Sequence, residues 1–375
     1  MKTIAIVINS SWAAYAFRLK LAQELKKHNY KVVFFAPDDG KYANKIKKHF
    51  DYFHIEIEAN KASFYKDIKY LRSLYILFKN VSVDVALTYS IKPNIYVNFI
   101  SSILKFKTIN NITGLGTVFI NKSIITTIVE SMYKFSLRFS SHVFFQNKDD
   151  YEFFQKKRIL SGGGTSIIPG SGVNTKKFKS SNKRLPDNLN IRFIFLGRLL
   201  KEKGVVEFLN AAKFLTDKYD NLFFSLLGEL DPKNRSSISR RFLSKYTNKN
   251  IVYLGMSDSV ESVIDGYDCV VLPSYREGLP RSLLEASSMS IPIITTNAVG
   301  CRDVIIDRVN GFVCKIKDVS SLIRAMENLI NLSIEDRISM GREGRTLVLK
   351  KFEESIVINE YLKIINKLLK YEKIG

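Results

Sequence analysis

The chain has 375 residues, 46% of them hydrophobic and 12% aromatic, and a formal net charge of +22. Its length exceeds the roughly 250–300 residues at which a single core stops growing, so two domains are expected, and its aromatic content argues against a disordered or purely electrostatic protein. Cys269, Cys301 and Cys314 form no CxxC pair and have no ligand spacing with His28, His49, His54 or His142, which argues against a disulfide framework or structural zinc site, while the charge points to nucleic acid, anionic lipid or a polyanionic substrate without choosing among them.

The first apolar run, Ile4–Ile8, has the length of a buried strand and is too short for a signal-peptide core. A helix across Tyr15–Lys27 follows, with Phe17, Leu21 and Leu25 spaced by four. Strands are expected at Lys31–Phe35 and Tyr52–Ile57, then a helix at about Phe64–Lys79. Its Lys66, Lys69 and Arg72 accompany Tyr65, Ile68, Leu71, Tyr75 and Phe78, a pattern that suits a membrane-surface helix or an ordinary core-packing helix with a solvated basic face. Val83–Thr88 is another strand, and Pro93 suits an early helical position ahead of Ile95, Phe99 and Ile103. Lys107–Asn110 and His142–Phe145 flank a helix at about Ile124–Phe139, and Thr165–Ile168 ends the first sheet.

The polar stretch Lys176–Asn190 marks a linker or the entrance to a second domain. Strands then recur at Ile191–Leu196, Leu222–Leu227, Ile251–Leu254, Cys269–Leu272 and Ile291–Thr295. Helices are expected at Gly204–Lys218, from near Pro280, and at about Ser355–Tyr371. Short buried strands alternating with helices indicate doubly wound α/β construction, in which ligands bind at the carboxyl ends of the strands. No stretch approaches the roughly 18–20 apolar residues of a membrane span. A cytoplasmic enzyme, touching the inner face of a membrane if its substrate is lipid-linked, fits this pattern.

The most informative segment is LPSYREGLPRSLLEASSMSIPIITT, Leu272–Thr296. Glu277 falls in the loop leaving a buried strand and Glu285 on the helix that follows, eight positions on. Gly278 permits close approach of the backbone, Leu279 separates it from Pro280, and Pro280 at the helix start has no amide proton to leave unsatisfied. The turn offers amides to an anion, and the carboxylates offer acceptors to sugar hydroxyls. A second signal lies at Phe195–Gly204: Gly197 keeps the backbone open to a ligand, Arg198 presents a fork to phosphate oxygens, and Lys203 a mobile point charge. Gly228 and Glu229 after the Leu222–Leu227 strand add a nucleotide-edge loop.

These residues resemble the donor motif of the GT-B-fold retaining glycosyltransferases classed as family 4, where two glutamates are separated by seven residues and a GR…K.KG pattern precedes them. The resemblance is strongest across Phe195–Phe312. It implies an α/β, GT-B fold of two Rossmann-like domains facing a central cleft. Residues 1–175 would bind the acceptor, 176–350 the nucleotide sugar, and 351–375 would form a carboxy-terminal helix, either crossing back to the first domain or packing on the second. It further implies that Glu277 contacts the transferred sugar, Glu285 grips the nucleotide ribose, and Arg198 and Lys203 neutralise the donor diphosphate, with no required metal or other cofactor.

On the acceptor side, the Asn9–Trp12 loop lacks the double glycine of many relatives but keeps Ser10 and Ser11 small and polar, and Arg18 lies on the following helix as substrate contact or surface charge. The turn Thr88–Asn94, with Tyr89 and Lys92, and the loop Ile112–Phe119, with Thr113, Gly114 and Gly116, resemble a bacterial surface-glycan subgroup that takes UDP-sugars and undecaprenyl-diphosphate-linked acceptors. No histidine falls in these loops, so none is assigned to catalysis. The resemblance implies transfer with retention, the departing UDP accepting the acceptor proton. A retaining hexosyltransferase with a non-lipid acceptor shares the donor signature, and GDP is not separated from UDP. A basic nucleic-acid-binding protein would explain the charge but not the donor pattern, so a nucleotide sugar, a lipid-linked glycan and an anionic membrane surface are the expected partners.

Overall fold

The computed structural model describes residues 1–57, 64–116, 119, 124–181, 190–232 and 234–370. Residues 182–189 of the expected linker lie outside the described residues, as do Thr117 and Val118 of the Ile112–Phe119 loop. The chain divides into two compact units, one of Met1–Ser171 together with the chain from Val357 onward, the other Gly172–Ile356.

Unit 1 runs β1 (Thr3–Val7), α1 (Ser11–Lys27), β2 (Lys31–Ala36), α2 (Tyr42–Lys47), β3 (Asp51–His54), α3 (Phe64–Asn80), β4 (Val85–Tyr89), α4 (Ile91–Leu104), β5 (Lys107–Ile112), α5 (Ile124–Ser136), β6 (His142–Phe145), α6 (Lys148–Lys156) and β7 (Gly164–Ile167). The strands form one sheet in the order β3-β2-β1-β4-β5-β6-β7, every neighbouring pair parallel. Residues of β1 and β2 alternate between faces, as a strand of period two requires. Ile4, Ile6, Val32 and Phe34 join one buried cluster, and Ala5, Val7, Val33 and Phe35 another.

Unit 2 runs β8 (Ile191–Leu196), α7 (Val205–Lys218), β9 (Leu222–Leu227), α8 (Arg240–Leu243), β10 (Ile251–Gly255), α9 (Val260–Ile264), β11 (Cys269–Leu272), α10 (Arg281–Ser288), β12 (Ile293–Thr296), β13 (Gly311–Cys314), α11 (Val319–Ile330) and α12 (Ile334–Lys351). Its sheet is β10-β9-β8-β11-β12-β13, again parallel throughout. Strands such as Cys269–Leu272 and Ile293–Thr296 are buried along their whole length, which is why they read as near-continuous apolar runs rather than alternating ones.

The strand order of each sheet reverses once, in unit 1 between β1 and β4 and in unit 2 between β8 and β11. At such a switch point the two connections leave in opposite directions and open a crevice at the strand ends. β13 lies outside the strands expected from sequence, and it opens on Gly311. That glycine lies so close to β12 that a Cβ there would sit 1.9 Å from the Ile293 carbonyl oxygen.

The units divide at Gly172 and Val357 rather than at 176 and 351 because Val173 bridges Glu353 in parallel, with Val173 N donating to Phe352 O at 2.9 Å. That pairing holds residues 172–175 within unit 2. The last helix, α13 (Glu354–Lys370), returns to unit 1, where Val357, Ile358, Tyr361, Leu362 and Ile365 join the cluster that α1 covers.

Candidate active site

At the unit 2 switch point, two glycines let the strand ends converge. Gly228 follows β9, and a Cβ there would lie 1.8 Å from the Gly197 carbonyl oxygen. Gly197 N donates to Leu227 O at 3.0 Å, and Gly228 N to Gly255 O at 2.8 Å, so the ends of β8, β9 and β10 are laced together. Arg198, the next residue after Gly197, is exposed.

The loop leaving β11 is fastened to the loop leaving β8. Tyr275 N donates to Glu202 O at 2.9 Å and Ser274 Oγ to the same carbonyl at 3.1 Å. Gly204, with φ +74°, packs so tightly that a Cβ would be 2.1 Å from Pro273 O. Tyr275 Oη adds a 2.6 Å bond to Glu207 Oε1 at the start of α7. These contacts bring Lys203 Nζ onto Glu277 Oε1 as an ion pair, with the side chains 22% and 12% exposed. Two residues far apart in sequence, each picked out by its own motif, therefore meet at the switch point. The Asn297–Asp303 loop supports them from behind. Glu277 N donates to Val299 O at 3.0 Å, and Gly300 at φ +78° admits no Cβ, which would sit 2.5 Å from Glu277 O. Burial, with Glu277 adding, pushes the nearby Cys301 thiol up to about 12, so it is a neutral packing group.

Glu285 lies one turn into α10, whose amino terminus has Pro280 as its cap and no side-chain capping bond. The two glutamates answer to different cations, Glu277 to Lys203 and Glu285 to Arg281, whose Nε donates to Glu285 Oε1 at 2.9 Å. Burial raises the Glu285 carboxyl above its ordinary value, and Arg281 opposes that rise. Sequence spacing pointed to both carboxylates but not to Arg281, which reads in the motif as an ordinary first-turn residue. Gly278 and Pro280 are buried and Leu279 half-buried, so these three shape the turn.

The unit 1 candidates separate into exposed and buried sets. Ser10 caps α1 by accepting from Ala13 N at 3.3 Å, and Ser11 is buried. Ser90 Oγ donates to Asn9 Oδ1 at 2.8 Å, tying the ends of β1 and β4 at this sheet's switch point, and Ser90 itself has φ +77°. Arg18 is not a surface charge. It is 4% exposed, with its guanidinium 4.0 Å from the Tyr89 ring centroid. Tyr89 is equally buried, and its hydroxyl faces that of Tyr361 on α13 at 3.2 Å. Lys92 is paired with Asp67 at 2.7 Å. Thr113 and Gly114 are half-buried and Gly116 exposed at the end of β5. Burial drives His142 down to about 4, with Lys367 adding, and its Nε2 lies 3.1 Å from Ser166 Oγ in a structural setting.

Two parallel sheets of this winding, the second carrying a basic residue and two carboxylates at its switch point, define a GT-B glycosyltransferase. The chain belongs to that family: residues 175–347 match the glycosyl transferases group 1 and residues 3–147 the glycosyl transferase 4-like group. It is similar to the N,N'-diacetylbacillosaminyl-diphospho-undecaprenol alpha-1,3-N-acetylgalactosaminyltransferase of Campylobacter jejuni, 27% identical over 98% of this chain and 99% of that one. It is also similar to the UDP-Gal:alpha-D-GlcNAc-diphosphoundecaprenol alpha-1,3-galactosyltransferase of Escherichia coli, 24% identical over 73% of each chain. Among solved structures, Anabaena HepE in complex with UDP and glucose superposes with a TM-score of 0.78 at 14% identity, covering 98% of this chain and 100% of that one.

Proposed function

We propose that the protein is a retaining glycosyltransferase that moves a hexose or N-acetylhexosamine from a UDP-sugar to an undecaprenyl-diphosphate-linked glycan precursor in bacterial surface polysaccharide synthesis. The observation that carries this reading is the Lys203–Glu277 pair at the unit 2 switch point, beside the exposed Arg198. The names of the Campylobacter and Escherichia relatives, both built on a diphospho-undecaprenol acceptor, support the acceptor class.

In this reading Glu277 accepts from hydroxyls of the transferred sugar, Glu285 accepts from the ribose, and Arg198 and Lys203 face the diphosphate. The bond between the anomeric carbon and the diphosphate breaks as a bond to the acceptor oxygen forms on the same face. The departing diphosphate oxygen takes the acceptor proton, and the two cations stabilise its growing charge. Side chains thus carry the diphosphate charge, and turnover is expected to survive EDTA. Unit 1 receives the acceptor, with Thr113, Gly114 and Gly116 at its strand ends and the buried Ser11 behind them. Arg18, Tyr89 and Lys92 serve from behind, since each is already engaged within the fold.

We place a peripheral membrane contact on α5. The core stripe of α3 is Tyr70, Leu74 and Phe78, all buried, which leaves Tyr65, Ile68 and Ile76 as its exposed large apolar residues, fewer than on α5 and its flank. On α5 and its flank, Ile124, Ile125, Ile128, Phe135 and Phe139 are all exposed, and Phe99 of α4 joins Phe135 and Phe139 through ring contacts.

The test is UDP release from a panel of UDP-sugars, with and without a short-chain polyprenyl-diphosphate glycan. Release that needs one UDP-sugar and the lipid-linked acceptor together is the expected result. Donor binding without acceptor-dependent release would refute the acceptor class, and turnover with GDP-sugars alone would refute UDP.

A further inference from the structure

Arg281 and Glu285 form an (i, i+4) pair on α10 that helix stability does not explain. The favourable order on a helix places the acid toward the amino terminus and the base four residues later, in line with the macrodipole. Here the order is reversed. Arg281 occupies the first turn, where aligned peptide dipoles already concentrate positive charge, and Glu285 lies toward the carboxyl end of this eight-residue helix. The pair is also partly withdrawn from water, with side chains 18% and 14% exposed. Two charges held against the dipole in a dry setting point to a demand outside the helix itself.

We infer that Arg281 is a positioning residue for nucleotide recognition, fixing through Oε1 the Glu285 carboxylate that takes the ribose hydroxyls. This inference rests on the donor reading of Glu285 given above.

The surroundings of Glu285 show why it needs such a partner. On its own helix it has Arg281. From the chain ahead of β8 it faces Lys177, and from α9 it faces Glu261, a like charge. Lys177 is already shared, its Nζ lying 3.3 Å from Glu261 Oε2. Burial and Glu261 both favour the neutral form of Glu285, and Arg281 is the largest influence opposing them. A carboxylate accepts from two vicinal hydroxyls at once, whereas a carboxylic acid turns one oxygen into a donor and loses that geometry. Removing the guanidinium would leave a carboxyl both free to rotate and prone to protonation. Lysine at the position would keep the charge but lose the planar fork.

The test is binding of UDP and 2′-deoxy-UDP by titration calorimetry from pH 6 to 9. It compares the wild type with Arg281→Gln, Arg281→Lys and Glu285→Gln, each first checked for a native melting profile. A charge-assisted bond to the 2′-hydroxyl predicts that the wild type prefers UDP by about tenfold or more. Glu285→Gln should lose most of that preference at every pH. Arg281→Gln should lose part of it, most at the acid end of the range, where a carboxyl without its guanidinium is most readily protonated, and Arg281→Lys should fall between. Donor KM should rise more than kcat falls in Arg281→Gln. An Arg281→Gln protein that keeps the wild-type preference across the range overturns the inference alone, provided Glu285→Gln has lost it. A Glu285→Gln protein that keeps the preference removes the ribose assignment of Glu285, and the role of Arg281 with it.

Discussion

Lys203 and Glu277 neutralise each other across the loops that leave β8 and β11, and each is held by backbone contacts that do not depend on the other. Glu277 is hydrogen-bonded through its amide to Val299, and Lys203 sits in the turn closed by Gly204 N donating to Lys201 O. Substitution should therefore affect chemistry more than folding. Glu277→Gln and Lys203→Ala are each expected to lower kcat by about 10²–10³-fold, the range for removing one electrostatic group aimed at a transition state. Melting temperatures should move by only a few degrees. Acceptor-dependent UDP release measured beside thermal melts checks both halves, and wild-type turnover by either variant would remove the site. The motifs that carry these residues are local in sequence, so their resemblance to the family's donor pattern was visible along the chain. Their pairing, and the partner of Glu285, depend on how separate loops converge and had no signal along the chain.

His142 gives the residue scale a pH signature. Its folded value of about 4 lies below its ordinary 6.5, so the fold favours the neutral ring. Between those values the unfolded chain binds a proton that the folded chain does not. The resulting stability is complete above pH 6.5, falls as pH drops through the window, and is gone below about 4. Its size is on the order of 2–3 kcal/mol. Urea unfolding at pH 7 and pH 4.5 should show the wild type losing more stability than His142→Asn by about that amount. Equal losses would mean that the ring titrates normally.

At the scale of elements, the β8–β11 crevice depends on backbone approaches that side chains would block. Gly300 shows this most directly, because its φ of +78° and its contact with the Glu277 and Gly278 carbonyls both exclude a Cβ. Gly300→Ala is expected to destabilise unit 2 by about 1–3 kcal/mol. It should also displace the Glu277 loop, so donor affinity should fall even where the protein remains folded. Unchanged UDP affinity in a folded Gly300→Ala protein would show that the loop does not position Glu277. Strands and long helices were legible because burial on both faces, or amphipathic spacing, leaves a periodic trace. The polar contacts within unit 1 left none: Tyr361 Oη of α13 donates to Asn111 Oδ1, and Asn110 Nδ2 donates to Thr88 Oγ1 of β4 at 2.8 Å. An asparagine such as Asn111 at a strand position looks like an interruption until the helix that meets it has folded back.

For the whole molecule, charge and exposed apolar surface describe one tendency in two ways. The net charge of +22 attracts any anionic surface and is screened by salt. The α5 face adds a contribution that salt does not screen, with Ile124 81%, Ile125 54% and Ile128 53% exposed. Among the described residues no helix is long and apolar enough to cross a membrane. Composition alone could not separate nucleic acid from lipid, because both are polyanions, whereas aligned isoleucines beside a phenylalanine cluster favour acyl chains. The wild type should sediment with phosphatidylglycerol-containing vesicles at low salt and retain part of that binding at 0.5 M salt, where the Debye length is roughly fourfold shorter than at 0.03 M. Burying two isoleucines in the interface is worth about 1.5–3 kcal/mol each at most, so Ile125→Glu with Ile128→Glu should reduce partitioning at least tenfold. The same variant should turn over a short-chain soluble acceptor at the wild-type rate, since neither position belongs to the donor or acceptor set. Wild-type sedimentation by this variant at high salt would move the membrane contact off α5 and leave the glycosyl-transfer chemistry untouched.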